Sequence, residues 1–209
     1  MSHDERGIIS VTALDGVSLD LVNGDRVGLV GHNGSGKSTL LRTLAGIYAP
    51  IRGSIRIEGR VSTVFGLGAG MEPELTGYEN IVRMGMMLGA SRAEAESRIA
   101  DIETFSELGD FLSVPVRTYS DGMRTRLAFG VATAAHPDIL LIDEVLGAGD
   151  AEFQQRAACR MADFIERSSI VVLASHSPEL IQRYCNRIVH LQHGRLVEPP
   201  KGAAATGSR

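Results

Sequence analysis

Along the chain, short apolar runs alternate with longer stretches whose apolar residues recur at helical spacing. VSLDLV at 17–22 and RVGLVG at 26–31 flank Asn23-Gly24-Asp25, a turn signal, and predict two paired strands. From Ser38 the segment STLLRTLAGIY carries the spacing of a helix. Pro50, Gly53 and Gly59 punctuate a second β stretch, SIRIEG at 54–59 and then VSTVF at 61–65. Residues 76–134 change character and read as mostly helical. Within them Ser91 and Glu94 form a capping box, Pro115 interrupts the pattern, and Ser120 opens the amphipathic segment SDGMRTRLAFGVATAA. Apolar strands return at DILLID (138–143) and SSIVVLAS (168–175), each followed by another helix. Ser177-Pro178-Glu179 is a helix start, with proline in the first turn. RIVHLQ and GRLVE form a last β pair around His193-Gly194, and residues 199–209 are expected to be a disordered tail.

Strands rich in Val, Ile and Leu without strict alternation imply a parallel sheet covered on both faces by helices. The predicted fold class is therefore α/β. One domain is expected over residues 1–198, with a helical subdomain at about 76–134. A length of 209 residues with 44% hydrophobic and 22% charged positions fits that size. The net charge of −4, with no block of like charge, weighs against a nucleic-acid partner, and none is expected. Cys159 and Cys185 lack metal-ligand spacing and read as core or partly buried free thiols of a reducing compartment. MSHDERG opens with charges and no apolar core follows, so no signal peptide is expected. No apolar run approaches the ~18 residues of a membrane helix, so any membrane contact is expected to come through a partner.

Chemistry enters with one residue. The chain holds 21 Lys and Arg residues, of which only Lys37 and Lys201 are lysine. Lys37 lies in GHNGSGKST, Gly31 to Thr39, which fits G-x-x-x-x-G-K-[ST] after a predicted strand and at the opening of a predicted helix. Glycines at Gly31, Gly34 and Gly36 let successive backbone N–H groups, through His32, Asn33 and Ser35, turn inward around phosphate oxygens. The helix N-terminus adds partial positive charge. Lys37 must bend back over the loop toward β- and γ-phosphates, which a slim ammonium can do and a planar guanidinium cannot do in the same way. Ser38 offers a hydroxyl to Mg²⁺.

DILLIDEV at 138–145 supplies acids at a strand end. Asp143 is placed to hold Mg²⁺ directly or through water, and Glu144 to orient and activate an attacking water. His176, in ASHSP after another apolar strand, is read as a γ-phosphate contact, whereas His190 and His193 are read as ordinary strand and turn residues.

The order of these motifs then matters: P-loop, YSDGM (119–123), LLIDE (140–144), GAGD (147–150), SHS (175–177). It resembles the nucleotide-binding domain of ABC transporters, along essentially the whole chain up to the tail. The resemblance implies a P-loop NTPase core of RecA type, with a short antiparallel region at the N-terminus. It also implies two ATP molecules sandwiched in a head-to-tail homodimer. In that arrangement Tyr119, Ser120, Asp121, Gly122 and Met123 form the signature that meets the other subunit's nucleotide, Ser120 by hydroxyl and Gly122 by backbone N–H. Asp150 matches the aspartate of the loop crossing the interface. YSDGM in place of LSGGQ, GLGAGMEPELTGYENI (66–81) and DEVLGAGD are similar to ATP-binding subunits that export capsule, O-antigen and teichoic acid polysaccharides.

That likeness implies an ATPase at the cytoplasmic face of the plasma membrane, held there by integral-membrane permease subunits that meet the groove near 66–88. A soluble ABC-type ATPase, or an ATP-gated interaction subunit, stands as the alternative. Two positions depart from the family. No glutamine occurs before Gln154, so the usual glutamine loop lacks its glutamine, and no aromatic residue precedes Tyr48 to stack on adenine. The β region ahead of residue 26 is also short for that family. The carbohydrate-binding domain that some of these subunits carry after the nucleotide-binding domain is not expected here, the sequence running to Arg209.

Overall fold

The computed structural model describes residues 2–3, 9–143 and 151–197. In chain order the elements are β1 (Ser2–His3), β2 (Ile9–Ser10), β3 (Arg26–Val30), α1 (Lys37–Leu44), β4 (Val61–Val64), α2 (Gly77–Met87) and α3 (Arg92–Ser97). There follow α4 (Ile99–Ser106), α5 (Asp121–Thr133), β5 (Ile139–Asp143), α6 (Ala151–Arg167), β6 (Ile170–Ala174), α7 (Pro178–Tyr184), β7 (Arg187–Gln192) and β8 (Arg195–Val197). They fall into two compact units, one of residues 1–56 with 170–209, the other of residues 57–169.

In the first unit β3 lies between β6 and β7 and is parallel to both; β8 returns antiparallel beside β7. Val27 and Leu29 of β3 are 0% exposed, and all five residues of β6 are buried, as a strand covered on both faces requires. The expected parallel α/β arrangement is present. The antiparallel partner expected at 17–22 is not. Val17, Leu19 and Leu21 do alternate in burial with exposed neighbours. However, β6 and β7 occupy both edges of β3, so 17–22 cannot pair with it. The turn itself forms, with Asp25 N–H donating to the Val22 carbonyl at 3.0 Å. His193 (φ 47°) and Gly194 (φ 77°) make the tight turn between β7 and β8 with both residues in the left-handed region, the geometry that suits a two-residue hairpin.

In the second unit β4 and β5 pair in parallel, Val61 opposite Ile139 through Val64 opposite Ile142. The predicted strand at 61–65 is thus confirmed for 61–64, while 54–59 forms no strand and is exposed throughout. The helical stretch appears as four helices and two 3₁₀ turns between Gly77 and Thr133. Their starts are set locally. Ser91 and Glu94 form the capping box read from the sequence; Thr76 and Glu79 form a second one. Ser120 caps α5, its hydroxyl accepting from Met123 N–H at 3.2 Å. Ile81, Ile102, Leu112, Val116, Tyr119 and Leu127 make one continuous apolar core. Each such side chain contributes about 1.5–3 kcal/mol by leaving water. Beside it the rings of Phe105, Phe129 and Phe153 lie with centroids 5.6–6.2 Å apart.

Two polar groups organise this core. Asn80 is 0% exposed and donates to the carbonyls of Glu72, Leu75 and Thr76 while accepting from Glu72 N–H at 2.7 Å, so one side chain holds the loop at 72–76. Arg160 makes a two-pronged ion pair with Asp101, donates to Thr133 Oγ1 at 2.7 Å, and lies 4.5 Å above the Phe105 ring centre. Of the two thiols expected to be core or partly buried, Cys185 is partly buried, whereas Cys159 is exposed.

Candidate functional site

β3 delivers the chain at Val30 into the loop 31–36, and α1 starts at Lys37. The helix has Gly36 at its N-cap, no side-chain cap and no acid in its first turn. Its leading N–H groups are therefore served by no capping side chain, the condition under which a helix start binds an anion. Gly36 has φ 110°, and a Cβ there would lie 2.7 Å from the Ala13 carbonyl oxygen. Both facts demand glycine.

Lys37 is 8% exposed and folds back as its spacing predicts. Its Nζ donates to the carbonyls of Gly31 at 2.7 Å and His32 at 3.2 Å. His176 Nε2 lies 3.4 Å from the same ammonium, although the two residues are 139 positions apart in sequence. The topology thus brings the expected phosphate-directed cation and the expected γ-phosphate contact to one point. Lys37, Ser38 and Thr39, with Gly34 and Gly36, form one wall of a cleft of about 320 Å³; Val11, Thr12, Ala13 and His193 form the other. His32 and Asn33 are exposed on the same loop, whereas Ser35 is 1% exposed. Of the segment Gly31 to Thr39, Ser35 is therefore the residue whose hydroxyl is withheld from solvent.

The second unit carries the remaining candidates. Asp143 closes β5 and is half-buried; Glu144 and the stretch containing Asp150 lie outside the described residues. At the start of α5, Ser120 and Asp121 are exposed and Gly122 and Met123 half-buried. The Ser120 oxygen accepts from Met123 N–H, which leaves its own proton to donate. Tyr119 differs: its ring is 4% exposed and its hydroxyl donates to the Phe111 carbonyl at 2.5 Å. The ring packs the core and holds the approach to α5. Where a glutamine would be expected, Leu67 and Met71 pack against the apolar core and line a cleft of about 420 Å³ with Arg117, Asp121 and Arg124. The backbone of this loop is tied to the approach to α5, since Val116 and Arg117 N–H groups donate to the Leu75 and Pro73 carbonyls at 2.9 Å each.

Among the described residues no group of three or more His, Cys, Asp or Glu side chains could hold a metal ion. The Ser38 hydroxyl and the Asp143 carboxylate are each the kind of hard oxygen donor that Mg²⁺ takes. Sequence reasoning misses Asn80, Arg160 and the cleft position of His193. Buried polarity marks the first two only once the core is known, and no local signal marks the third.

Comparison with known proteins agrees with the fold. Residues 14–147 match the family model described as ABC transporter. The chain is 60% identical over 191 residues to the O-antigen export system ATP-binding protein RfbE of Yersinia enterocolitica, covering 91% of this chain and 80% of that one. It is 46% identical to the O-antigen export system ATP-binding protein RfbB of Myxococcus xanthus, over 94% of this chain and 45% of that protein. It is 43% identical to the teichoic acids export ATP-binding protein TagH of Enterococcus faecalis, over 88% of this chain and 41% of the other. Among solved structures, one titled as the ATP binding subunit of an ABC transporter superposes with a TM-score of 0.73 at 27% identity, covering 88% of this chain and 81% of that one. The dimeric, ADP- and Pi-bound ATP-binding cassette MJ0796 shares the fold, with a TM-score of 0.70 at 24% identity and 90% of each chain covered. A P-loop whose lysine folds back across an uncapped helix start, with this extent of matching sequence around it, places the chain in the ABC transporter family.

Proposed function

We propose that the chain is the ATP-hydrolysing motor subunit of an ABC transporter that exports a lipid-linked or cell-surface polysaccharide. The observation that carries the ATPase reading is the buried Lys37 ammonium, held over the loop and within 3.4 Å of His176 at the head of α1. The names of the Yersinia, Myxococcus and Enterococcus relatives support the cargo class.

In this reading the backbone N–H groups of Gly31, His32, Asn33, Gly34, Ser35, Gly36, Lys37, Ser38 and Thr39 surround the phosphate chain, and the Lys37 ammonium neutralises its outer end. Ser38 and Asp143 would each offer an oxygen to Mg²⁺, which would supply positive charge to the phosphates. Glu144 accepts a proton from the attacking water and His176 steadies the γ-phosphate. Ser120 and Gly122 of a second copy, with Tyr119, Asp121 and Met123 shaping that helix start, close on the same phosphate in a homodimer. Integral-membrane permease subunits hold the dimer at the cytoplasmic face of the plasma membrane. Among the described residues no helix is long and apolar enough to cross a membrane.

The test has two arms. ATPase activity should be lost in Lys37→Ala, since the ammonium aimed at the outer phosphates is then gone; near-normal turnover refutes the site. Affinity capture of the tagged chain from detergent-solubilised membranes of its own host should recover a multi-span membrane protein in stoichiometric amount. Recovery of soluble partners alone refutes the transport reading and leaves an ABC-type ATPase.

A further inference from the structure

The two walls of the P-loop cleft differ in chemistry. One is the loop and first turn of α1, which suit phosphate. The other is Val11, Thr12, Ala13 and the β7–β8 turn, and of the described residues lining the cleft only His193 carries a ring. No aromatic residue precedes Tyr48 in the sequence, and Tyr48 does not line this cleft.

His193 is held in place from several sides. Gly194 N–H donates to the Ser35 carbonyl at 2.8 Å, and Asp15 N–H donates to the Gly194 carbonyl at 2.8 Å. The turn is thereby fastened to the P-loop on one side and to the segment at Asp15 on the other. The His193 ring also meets the His32 ring, with centroids 4.9 Å apart and planes inclined at 55°. His32 is itself fixed, its Nδ1 lying 2.8 Å from the Asn33 carbonyl, so that this nitrogen carries the proton and donates. A ring braced in this way, exposed on a cleft that aliphatic Val11 also lines, offers a flat face at low ordering cost.

We propose that His193, braced by His32, is the surface on which the base of the bound nucleotide rests. The hairpin turn then supplies the ring that the segment upstream of the P-loop lacks. The inference rests on the nucleotide reading above: phosphates fixed at Lys37 leave the nucleoside to meet the far wall.

The test compares Mg-ATP with inorganic tripolyphosphate, which has the phosphates and no base, on the full chain by calorimetry. The variant is His193→Asn, because asparagine accepts the left-handed backbone at this turn and has no ring. Aromatic contacts of this kind correspond to a loss of roughly fivefold in affinity. His193→Asn should therefore weaken ATP binding about fivefold and leave tripolyphosphate binding and the melting temperature unchanged. His32→Ala should give a smaller loss in the same direction, again confined to ATP. Unchanged ATP affinity in His193→Asn overturns the contact while the site stands. Equal losses for ATP and tripolyphosphate also overturn it, because the turn would then only support the P-loop. A wild-type chain that binds neither ligand, or a Lys37→Ala variant that binds both normally, overturns the nucleotide reading and this inference with it.

Discussion

Gly34 and Gly36 both have positive φ, yet substitutions at the two should fail by different amounts and for different reasons. At Gly34 φ is 78° and nothing lies within 4 Å of an added Cβ. Gly34→Asn therefore meets only the backbone preference, and asparagine tolerates it, so the cost is about 0.5–1 kcal/mol. At Gly36 φ is 110°, and the added Cβ would sit 2.7 Å from the Ala13 carbonyl oxygen, 3.1 Å from Leu14 Cδ2 and 3.2 Å from Leu191 Cδ2. The first of these is backbone and cannot turn aside. Backbone strain of about 1–3 kcal/mol and overpacking of about 1–3 kcal/mol then act together, for a loss of roughly 2–6 kcal/mol. Any relaxation that relieves the contact also shifts the first turn of α1 away from the ligand. Urea denaturation of both variants, with and without Mg-ATP, measures each part. Gly36→Ala should lose most of the stabilisation that ATP confers, and Gly34→Asn should keep most of it. Equal stability losses at the two glycines, or full ATP stabilisation in Gly36→Ala, would refute the steric account.

Other expectations concern single groups. Glu144→Gln should bind ATP but hydrolyse it at least about 10²-fold more slowly and accumulate a closed dimer on sizing with ATP and Mg²⁺; wild-type turnover would assign the base elsewhere. Arg160→Met removes the two-pronged bond to Asp101 and the contact over Phe105, and because Asp101 is half-exposed the loss should be about 2 kcal/mol at pH 7 by denaturant midpoint. The Arg160 bond holds the Asp101 carboxyl below its ordinary value of 3.8, so its stabilisation is present above that pH and is lost as pH falls through the lower, folded-state value. The acid limb of stability should accordingly flatten in Arg160→Met, and an unchanged limb would count against the pair. Burial pushes the Cys185 thiol up to about 11, whereas Cys159 is exposed, so iodoacetamide at pH 7.5 should label Cys159 first and leave Cys185 largely unmodified. Equal labelling would contradict the burial.

What the chain reveals by itself are features whose causes lie within a few residues of one another. The P-loop, the capping box at 91–94, the Ser120 cap and the Ser177-Pro178 helix start each depend on neighbours three or four positions away, and all form in the structure. Thr76 and Glu79 carry the same signature as Ser91 and Glu94, and the cap they form is legible only in retrospect, because the glycines and prolines around it obscure the helix start. Lys37 can be assigned because its partners, the Gly31 and His32 carbonyls, are five and six residues back. Tertiary structure decided the rest. The alternation in 17–22 is real, but a strand also needs a free edge, and β6 and β7 leave β3 none. Tyr119, one residue before an exposed cap, turns its ring into the core because Phe111 offers a carbonyl there. The neighbourhood of Lys37 with His176, and of His32 with His193, exists only because β6 and β7 flank β3 and bring their C-terminal ends to the P-loop. Sequence patterns carry local hydrogen-bond demands, whereas the pairing of distant strands is settled by which edges and faces remain to be buried.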